Sequence, residues 1–227
     1  MTHIYLIRHG ETDWNRDGIC MGQMDVPLNA RGRRQAERTA ERLAPVRFDR
    51  LYSSDLSRAR ETAQIIVERQ PHAPEIRTRR DLREMDYGHW QGYRREEIEL
   101  RFAESFQDGD PHRTDPLAFR PQGGESLRQL YERSVRAFRE IFAESRGKTI
   151  AVVAHGGVIR CMVEWVLQQG APRFREGEPF ISFGFAVSNC GITHIQEEPE
   201  GLVLRVLNDT CHLQPLDLEG YDRPSVA

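Results

Sequence analysis

Two histidines follow apolar runs at points where the chain turns abruptly polar. The segments IYLIRHG (4–10) and TIAVVAHGG (149–157) both contain an apolar run, then a histidine, then glycine. An imidazole near neutral pH can act as a nucleophile, carry a proton or bind a metal. Because the same pattern occurs twice, we expect His9 and His155 to serve one shared site.

Arginines accompany these histidines and indicate which ligand the site takes. Arg8 precedes His9, and Arg58 lies early in a helical segment after a third short apolar run, LYSSDLSRAR (51–60). If the strands are parallel neighbours, both arginines and both histidines face one cleft. A metal site would need a third ligand, and the chain has neither an H-E-x-x-H motif nor a cysteine pair. Because arginines repel a cation, the residue types favour phosphate.

A carboxylate could supply the acid–base group that phosphate-ester chemistry needs. The segment DLREMDYGHWQG (81–92) offers Glu84 after a predicted strand, with Asp81 and Asp86 as alternatives. Glu84 could instead only pair with an arginine.

Alternating strands and helices must position these groups. The pattern predicts strands at 4–7, 49–54, 75–79 and 149–154, helices at 31–44, 54–69, 94–106, 126–146 and 158–168, and a hairpin of 190–196 with 202–208. We expect Asn29 to cap the first of these helices and Ser54 or Asp55 the second. The resulting fold class is α/β, a three-layer α/β/α sandwich with a mostly parallel sheet and an antiparallel edge. Ligands of such sheets bind beyond the carboxyl ends of the strands.

Composition excludes several classes of protein. The 227 residues are 30% charged with a net charge of −3, which argues against a general nucleic-acid binder. We expect no secretory leader, and the sequence contains no apolar run of the ~18 residues that a membrane span requires. Its four cysteines are scattered, as in a reduced cytosolic protein. We expect a cytoplasmic enzyme with a small phosphorylated substrate, no nucleic-acid or membrane partner, and a possible homodimer.

Four motifs, in order, resemble a known family. LIRHGETDWN, SSDLSRARETA, LREMDYGHWQG and AHGGVIR are similar to the motifs of the histidine phosphatase superfamily, in its phosphoglycerate-mutase-like branch with the Arg-His-Gly signature. GGESLRQLYERS, NCGITHI and LNDTCHL also resemble this branch. The likeness is greatest to small-molecule phosphatases of the broad-specificity or α-ribazole phosphatase type. It implies one domain over 1–213, a substrate-capping loop at 107–124 and a polar tail at 214–227.

The resemblance also implies a role for each matching residue. His9 would be the nucleophile that forms a phosphohistidine, and Glu84 would donate the proton to the leaving alcohol. The phosphoryl group would be held by Arg8, Arg58, His155, Asn15, Gly22, Gln23 and Gly156. The implied enzyme is a metal-independent phosphomonoesterase of the histidine acid type, for which we expect no metal and no other cofactor.

One position departs from the family pattern. Relatives often carry Thr or Gln where this chain has Met21, whose thioether cannot donate a hydrogen bond. Phosphate contact there would come from the backbone or from Gln23.

Three functions stay open at this point: a phosphatase, a 2,3-bisphosphoglycerate-dependent phosphoglycerate mutase, and an inactive anion or phosphopeptide binder. The acid segment REMDYG differs from the NERHYG of mutases, and only ~40 residues separate Glu84 from Glu125, so hydrolysis is favoured. All expected catalytic positions are filled, which disfavours the binder. Specificity is expected from five basic residues and three aromatic ones: His112, Arg113, Arg120, Arg173, Arg175, Trp14, Tyr87 and Trp90. The loop arginines could instead be ordinary solvated charges, and Trp14 and Trp90 could be core residues.

Overall fold

The computed structural model of the chain describes residues 1–102, 117–118, 120–168 and 184–214. Its strands are β1 His3–Arg8, β2 Arg50–Ser54, β3 Ile76–Arg79, β4 Thr149–Ala154, β5 Ile192–Glu198 and β6 Gly201–Asp209. Its helices are α1 Asp13–Arg16, α2 Ala30–Leu43, α3 Ser57–Glu68, α4 Arg95–Arg101, α5 Leu127–Glu144 and α6 Gly156–Leu167. Three short 3₁₀ turns, Arg80–Leu82, Gly88–Trp90 and Cys211–Leu213, complete these elements.

The six strands form one sheet in the order β3-β2-β4-β1-β5-β6. Strands β1 to β4 pair in parallel, whereas β5 runs antiparallel to β1 and forms a hairpin with β6. The predicted α/β sheet, mostly parallel with an antiparallel edge, is therefore confirmed. Strand β4 lies between β1 and β2 and is parallel to both. The chain segments that follow these three strands therefore emerge at the same edge of the sheet.

Both faces of the sheet are covered by helices, which explains the uninterrupted apolar strands. Leu6 of β1 belongs to a buried cluster with Phe138 of α5 and residues of α6, all without solvent exposure. Its neighbour Ile7 faces the other way and belongs to a second cluster with Ala40 of α2 and Ala63 of α3. Successive strand residues thus pack against opposite helix layers.

The start of α3 differs from the prediction. The helix begins at Ser57, after Leu56 as N-cap, and neither Ser54 nor Asp55 caps it with a side chain. Asp55 instead accepts two hydrogen bonds from the Arg83 guanidinium, each 2.7 Å long. The first N–H of the helix, at Ser57, donates to the Asp25 carboxylate at 2.7 Å. A distant loop therefore replaces the local cap, and no local pattern predicts such a contact.

The other boundaries agree with the prediction to within a few residues. Asn29 caps α2 as predicted, its side chain accepting from Gly32 N at 2.8 Å. Helix α4 ends at Arg101, because Phe102 leaves helical conformation, and α6 begins two residues earlier than predicted. Most of the predicted capping loop and the whole 170–180 segment lie outside the described residues. Within the described part of the chain, no helix combines the length and hydrophobicity needed to cross a membrane.

Candidate active site

His9 lies immediately beyond β1, at the carboxyl edge of the sheet. The pairing of β1 with β4 places Arg8 opposite Ala154, and His9 N donates to Ala154 O at 3.0 Å. The side chain is 3% exposed. The parallel ladder therefore extends up to the histidine and holds its backbone against β4.

The ring of His9 is fixed in one tautomer. Its Nδ1 lies 2.7 Å from Gly10 O, and because a carbonyl only accepts, Nδ1 carries the proton. Burial lowers the pKa of His9 well below its ordinary value, and the charges of Arg58 and Arg8 lower it further. The neutral ring thus keeps a lone pair on Nε2, the atom that a nucleophile needs.

His155 comes to the same place from β4. Its ring centroid is 5.0 Å from that of His9, and the residue has no solvent exposure. Neither ring nitrogen has a hydrogen-bond partner among the described residues. Burial lowers the pKa of His155 well below its ordinary value, with smaller contributions from Arg58, His9 and Arg8. A buried polar group without a partner is costly, so this ring is suited to a polar ligand between the two histidines.

Backbone carbonyls accept hydrogen bonds from the guanidinium groups of both Arg8 and Arg58. Arg8 Nη1 donates to Val187 O at 2.7 Å, while Arg58 donates to Met24 O and Gly22 O, each at 2.8 Å. Burial lowers the pKa of Arg58 to about 10, against the opposing effects of Glu84 and Asp25. The guanidinium remains charged at neutral pH and supplies fixed positive potential beside both histidines.

Asn189 links Asn15 to His9, and the sequence analysis did not identify this residue. Asn189 Nδ2 donates to His9 O at 2.9 Å and to Asn15 Oδ1 at 3.3 Å. Asn15 Oδ1 also accepts from Thr12 N at 3.2 Å, which leaves its own amide N–H groups for another acceptor. The available signal for Asn189 was its place in the NCGITHI segment.

Thr62 is a second missed residue, and helix periodicity could have found it. Thr62 lies one turn after Arg58 on α3, and its Oγ1 accepts from Gly10 N at 3.0 Å. The same hydroxyl donates to Arg58 O at 2.8 Å. It therefore links the helix that carries Arg58 to the residue that follows His9.

The Gly22–Gln23 turn contacts both Arg58 and the acid segment. Gly22 adopts a φ of +51°, and a Cβ there would come within 2.1 Å of the Gln91 side chain. Gln23 Nε2 donates to Glu84 O at 3.2 Å, so in this structure its amide contacts the acid segment. Met21 is 7% exposed and its sulfur lies 3.8 Å from Thr12 Oγ1, so it packs into the interior.

Glu84 places its carboxylate at the N-terminus of α6. Its Oε2 accepts from Gly157 N at 3.1 Å and its Oε1 accepts from Met85 N at 2.9 Å. A Cβ added at Gly156 would lie 3.8 Å from both the Arg8 guanidinium carbon and Glu84 Oε2. The acid therefore lies beside the arginine–histidine cluster.

The two alternative carboxylates are engaged elsewhere. Asp81 pairs with Arg79, with two bonds of 2.9 and 2.6 Å. Asp86 Oδ1 accepts from Gly88 N at 2.9 Å and so stabilises the following turn. Of the three candidates, Glu84 is the one with contacts at the α6 N-terminus.

Gly157 leaves space for the acid. A Cβ at this position would approach Glu84 Oε1 to 2.4 Å. The missing side chain thus makes room for the Glu84 carboxylate.

Comparison with known proteins identifies the family of the chain. The family model described as histidine phosphatase superfamily (branch 1) matches residues 4–210. The chain is 44% identical over 162 residues to phosphoglycerate mutase-like protein 4 of Arabidopsis thaliana, covering 71% of this chain and 69% of that protein. It is 32% identical over 223 residues to phosphoserine phosphatase 1 of Hydrogenobacter thermophilus, covering 97% and 99%. A putative alpha-ribazole-5'-P phosphatase structure from Escherichia coli superposes with a TM-score of 0.78 at 28% identity, covering 92% and 96%.

These similarities confirm the family predicted from the motifs, and with it an enzyme of the phosphatase class. The match includes both histidine segments, the Arg58 helix and the acid segment. The chain therefore belongs to the histidine phosphatase superfamily, branch 1.

Proposed function

We propose that the chain hydrolyses small phosphate monoesters through a phosphohistidine intermediate on His9. The observation that carries this proposal is the buried His9–His155 pair, 5.0 Å apart between ring centroids and flanked by Arg8 and Arg58. A phosphoryl group in transfer spreads charge over three equatorial oxygens, and fixed positive groups stabilise that charge.

In the first step His9 Nε2 attacks the phosphorus atom. The P–N bond forms as the P–O bond to the alcohol breaks, and protonated Glu84 gives its proton to the leaving oxygen. Arg8, Arg58 and an N–H of His155 bind the equatorial oxygens, and the Asn15 amide and the Gly156 N–H assist. The hydrogen bond from Nδ1 to Gly10 O supports the positive charge that the ring acquires.

In the second step water replaces the alcohol. Glu84, now a carboxylate, takes a proton from the water as its oxygen attacks phosphorus. The P–N bond breaks, its electron pair returns to Nε2, and inorganic phosphate leaves. Splitting the displacement in this way replaces one difficult attack on a phosphate monoester by two easier steps.

The names of the relatives narrow the substrates to be tested. One relative is named a phosphoserine phosphatase and a structural neighbour a putative alpha-ribazole-5'-P phosphatase. We therefore place phosphoserine and ribose 5-phosphate-type esters first in a substrate panel.

A phosphoglycerate mutase is the second candidate, because a relative at 44% identity is named phosphoglycerate mutase-like. A mutase returns the phosphoryl group to an acceptor alcohol, whereas a phosphatase releases it to water. The two functions therefore differ in the inorganic phosphate that each produces.

The deciding experiment measures phosphate release from the panel with and without 2,3-bisphosphoglycerate, and with and without a chelator. We expect release that needs neither the bisphosphate nor a metal, and an acid-labile phosphoenzyme that disappears in His9→Ala. Retention of turnover by His9→Ala would contradict the nucleophile, and isomerisation of 3-phosphoglycerate without release would favour the mutase.

A further inference from the structure

The Arg133 side chain, on α5, donates hydrogen bonds to backbone carbonyls of the acid segment. Its Nη1 donates to Asp81 O at 3.0 Å and to Arg83 O at 2.7 Å. Its Nη2 donates to Glu84 O at 2.8 Å. Three carbonyls within four residues are thus bound by a single side chain.

A carboxylate holds this guanidinium in place. Glu125 accepts from Arg133 Nε at 2.9 Å and from Nη2 at 2.5 Å. The two side chains are only 15% and 16% exposed, so solvent screens the pair weakly. Glu125 also accepts from Asp86 N at 2.9 Å, on the far side of Glu84. The pair therefore supports the segment on both sides of the acid.

Only arginine can make this set of contacts. The guanidinium is planar, carries five N–H donors at fixed angles and stays charged in proteins. A lysine at the same position has three donors on one atom and cannot reach three separate carbonyls together with a carboxylate.

The contacts control where the Glu84 carboxylate can lie. The backbone carbonyl of Glu84 accepts hydrogen bonds from Arg133 and Gln23. The side-chain carboxylate of Glu84 accepts from the N–H groups of Met85 and Gly157. Backbone and side chain are thus both fixed relative to α6. Misplacement of a catalytic group by ~1 Å can cost about 10²-fold in rate.

We infer that Arg133, braced by Glu125, is a positioning residue that sets Glu84 for proton donation. The inference rests on the proposed function, because it assigns Arg133 an effect on the protonation of the leaving alcohol. Arg133 acts through Glu84 and is not assigned a contact with the substrate or the reacting atoms.

The test compares Arg133→Lys with Arg136→Lys on two substrates. Arg136 lies one turn further along α5, is exposed and has no ion pair among the described residues, so it controls for charge and helix propensity. The substrates are p-nitrophenyl phosphate, whose leaving group needs little protonation, and phosphoserine, whose alkoxide needs a proton.

We expect Arg133→Lys to lower kcat/KM for phosphoserine, which reports the phosphorylation step alone, at least about 10-fold more than kcat/KM for p-nitrophenyl phosphate. Arg136→Lys should leave both unchanged. Equal losses on the two substrates, or no loss, would overturn the positioning role while leaving the proposed function intact. Absence of turnover in the unaltered protein would instead contradict the proposed function.

A second variant and a second readout cover the case in which Arg133→Lys does not fold. Glu125→Gln keeps the side-chain size but removes the charge that braces Arg133, and it should cause a smaller selective loss on phosphoserine. Hydrogen exchange of the amides in 81–88 should be faster in this variant than in Arg136→Lys. Unchanged exchange together with unchanged substrate preference in Glu125→Gln would overturn the inference.

Discussion

At the scale of single residues, the proposed mechanism needs His9 and Glu84 in opposite protonation states. His9 reacts only when neutral, and burial with two neighbouring arginines favours that state by lowering its pKa. Glu84 must be protonated when the alcohol leaves, because it gives its proton to the leaving oxygen. The first step of the proposed reaction therefore needs a neutral imidazole and a protonated carboxyl in one site.

Glu84→Gln should slow the hydrolysis of substrates with poor leaving groups more than that of substrates with good ones. We expect hydrolysis of phosphoserine to fall about 10²–10⁴-fold, the usual contribution of general acid catalysis, because the amide cannot give up a proton. Hydrolysis of p-nitrophenyl phosphate should fall less in the first step, which burst kinetics of p-nitrophenol release would measure. The exposed Glu132→Gln serves as control, and equal losses for both substrates would argue against the proton-donor role.

At the scale of elements, the site depends on where strands end and helices begin. Parallel pairing of β1, β2 and β4 brings His9, His155 and the Arg58 helix to one edge. Helix α6 begins there at Gly156, and its first N–H groups point toward the same space, with a partial positive charge. Glu84 occupies one of these N–H groups, that of Gly157, and a phosphoryl group can use its neighbour.

Gly157→Ala should damage the reaction without damaging the fold. The added Cβ would lie 2.4 Å from Glu84 Oε1 and 3.2 Å from Leu130 Cδ2, so the carboxylate must move. We expect kcat for phosphoserine to fall about 10-fold or more. The thermal midpoint should stay or rise, because alanine is favoured over glycine inside a helix by about 1 kcal/mol.

Gly156→Ala provides the comparison for this variant. Its added Cβ would meet Arg8 and Glu84 at 3.8 Å, an ordinary contact, so a smaller loss is expected. The measurements are kcat for phosphoserine and the thermal midpoint of each variant. A larger loss of kcat in Gly156→Ala than in Gly157→Ala would contradict this account of Gly157.

At the scale of the whole molecule, the sheet edge holds two buried imidazoles that resist protonation. The pKa of His9 and of His155 is lowered in the folded protein by burial first, and then by the arginine charges around them. An unfolded chain binds protons on both residues as pH falls below their ordinary pKa of 6.5, whereas the folded chain binds them only at lower pH. Folding is therefore linked to pH through these two groups.

The sign of the linkage predicts loss of stability in acid. As pH falls below 6.5, the unfolded state gains protons first, so the free energy of unfolding drops by at most about 1.4 kcal/mol per pH unit for each histidine. The double variant His9→Gln/His155→Gln should show a shallower slope between about pH 6 and pH 5 in denaturant titrations. Parallel slopes in the two proteins would contradict the lowered pKa values.

The sequence by itself determined the local elements and the family. Apolar runs predicted β1 and β4, helical spacing predicted α2 and α5, and Asn29 was correctly identified as a cap. These features depend on residues a few positions apart, so periodicity and capping chemistry are enough to find them. Motifs that combine histidine or arginine with strand ends pointed to one phosphate site, because parallel strands end at a common edge.

Only the tertiary structure decided which donors meet which acceptors. Asp25 caps α3 in place of Asp55, Gln23 binds the Glu84 carbonyl, and Arg133 reaches three carbonyls some 50 residues earlier in the chain. Nothing in the local sequence distinguishes these polar residues from solvated ones, because their partners come close only when the sheet and its helices pack. The sequence thus identifies the candidate groups for the chemistry, whereas the contacts that orient them form only when the chain folds.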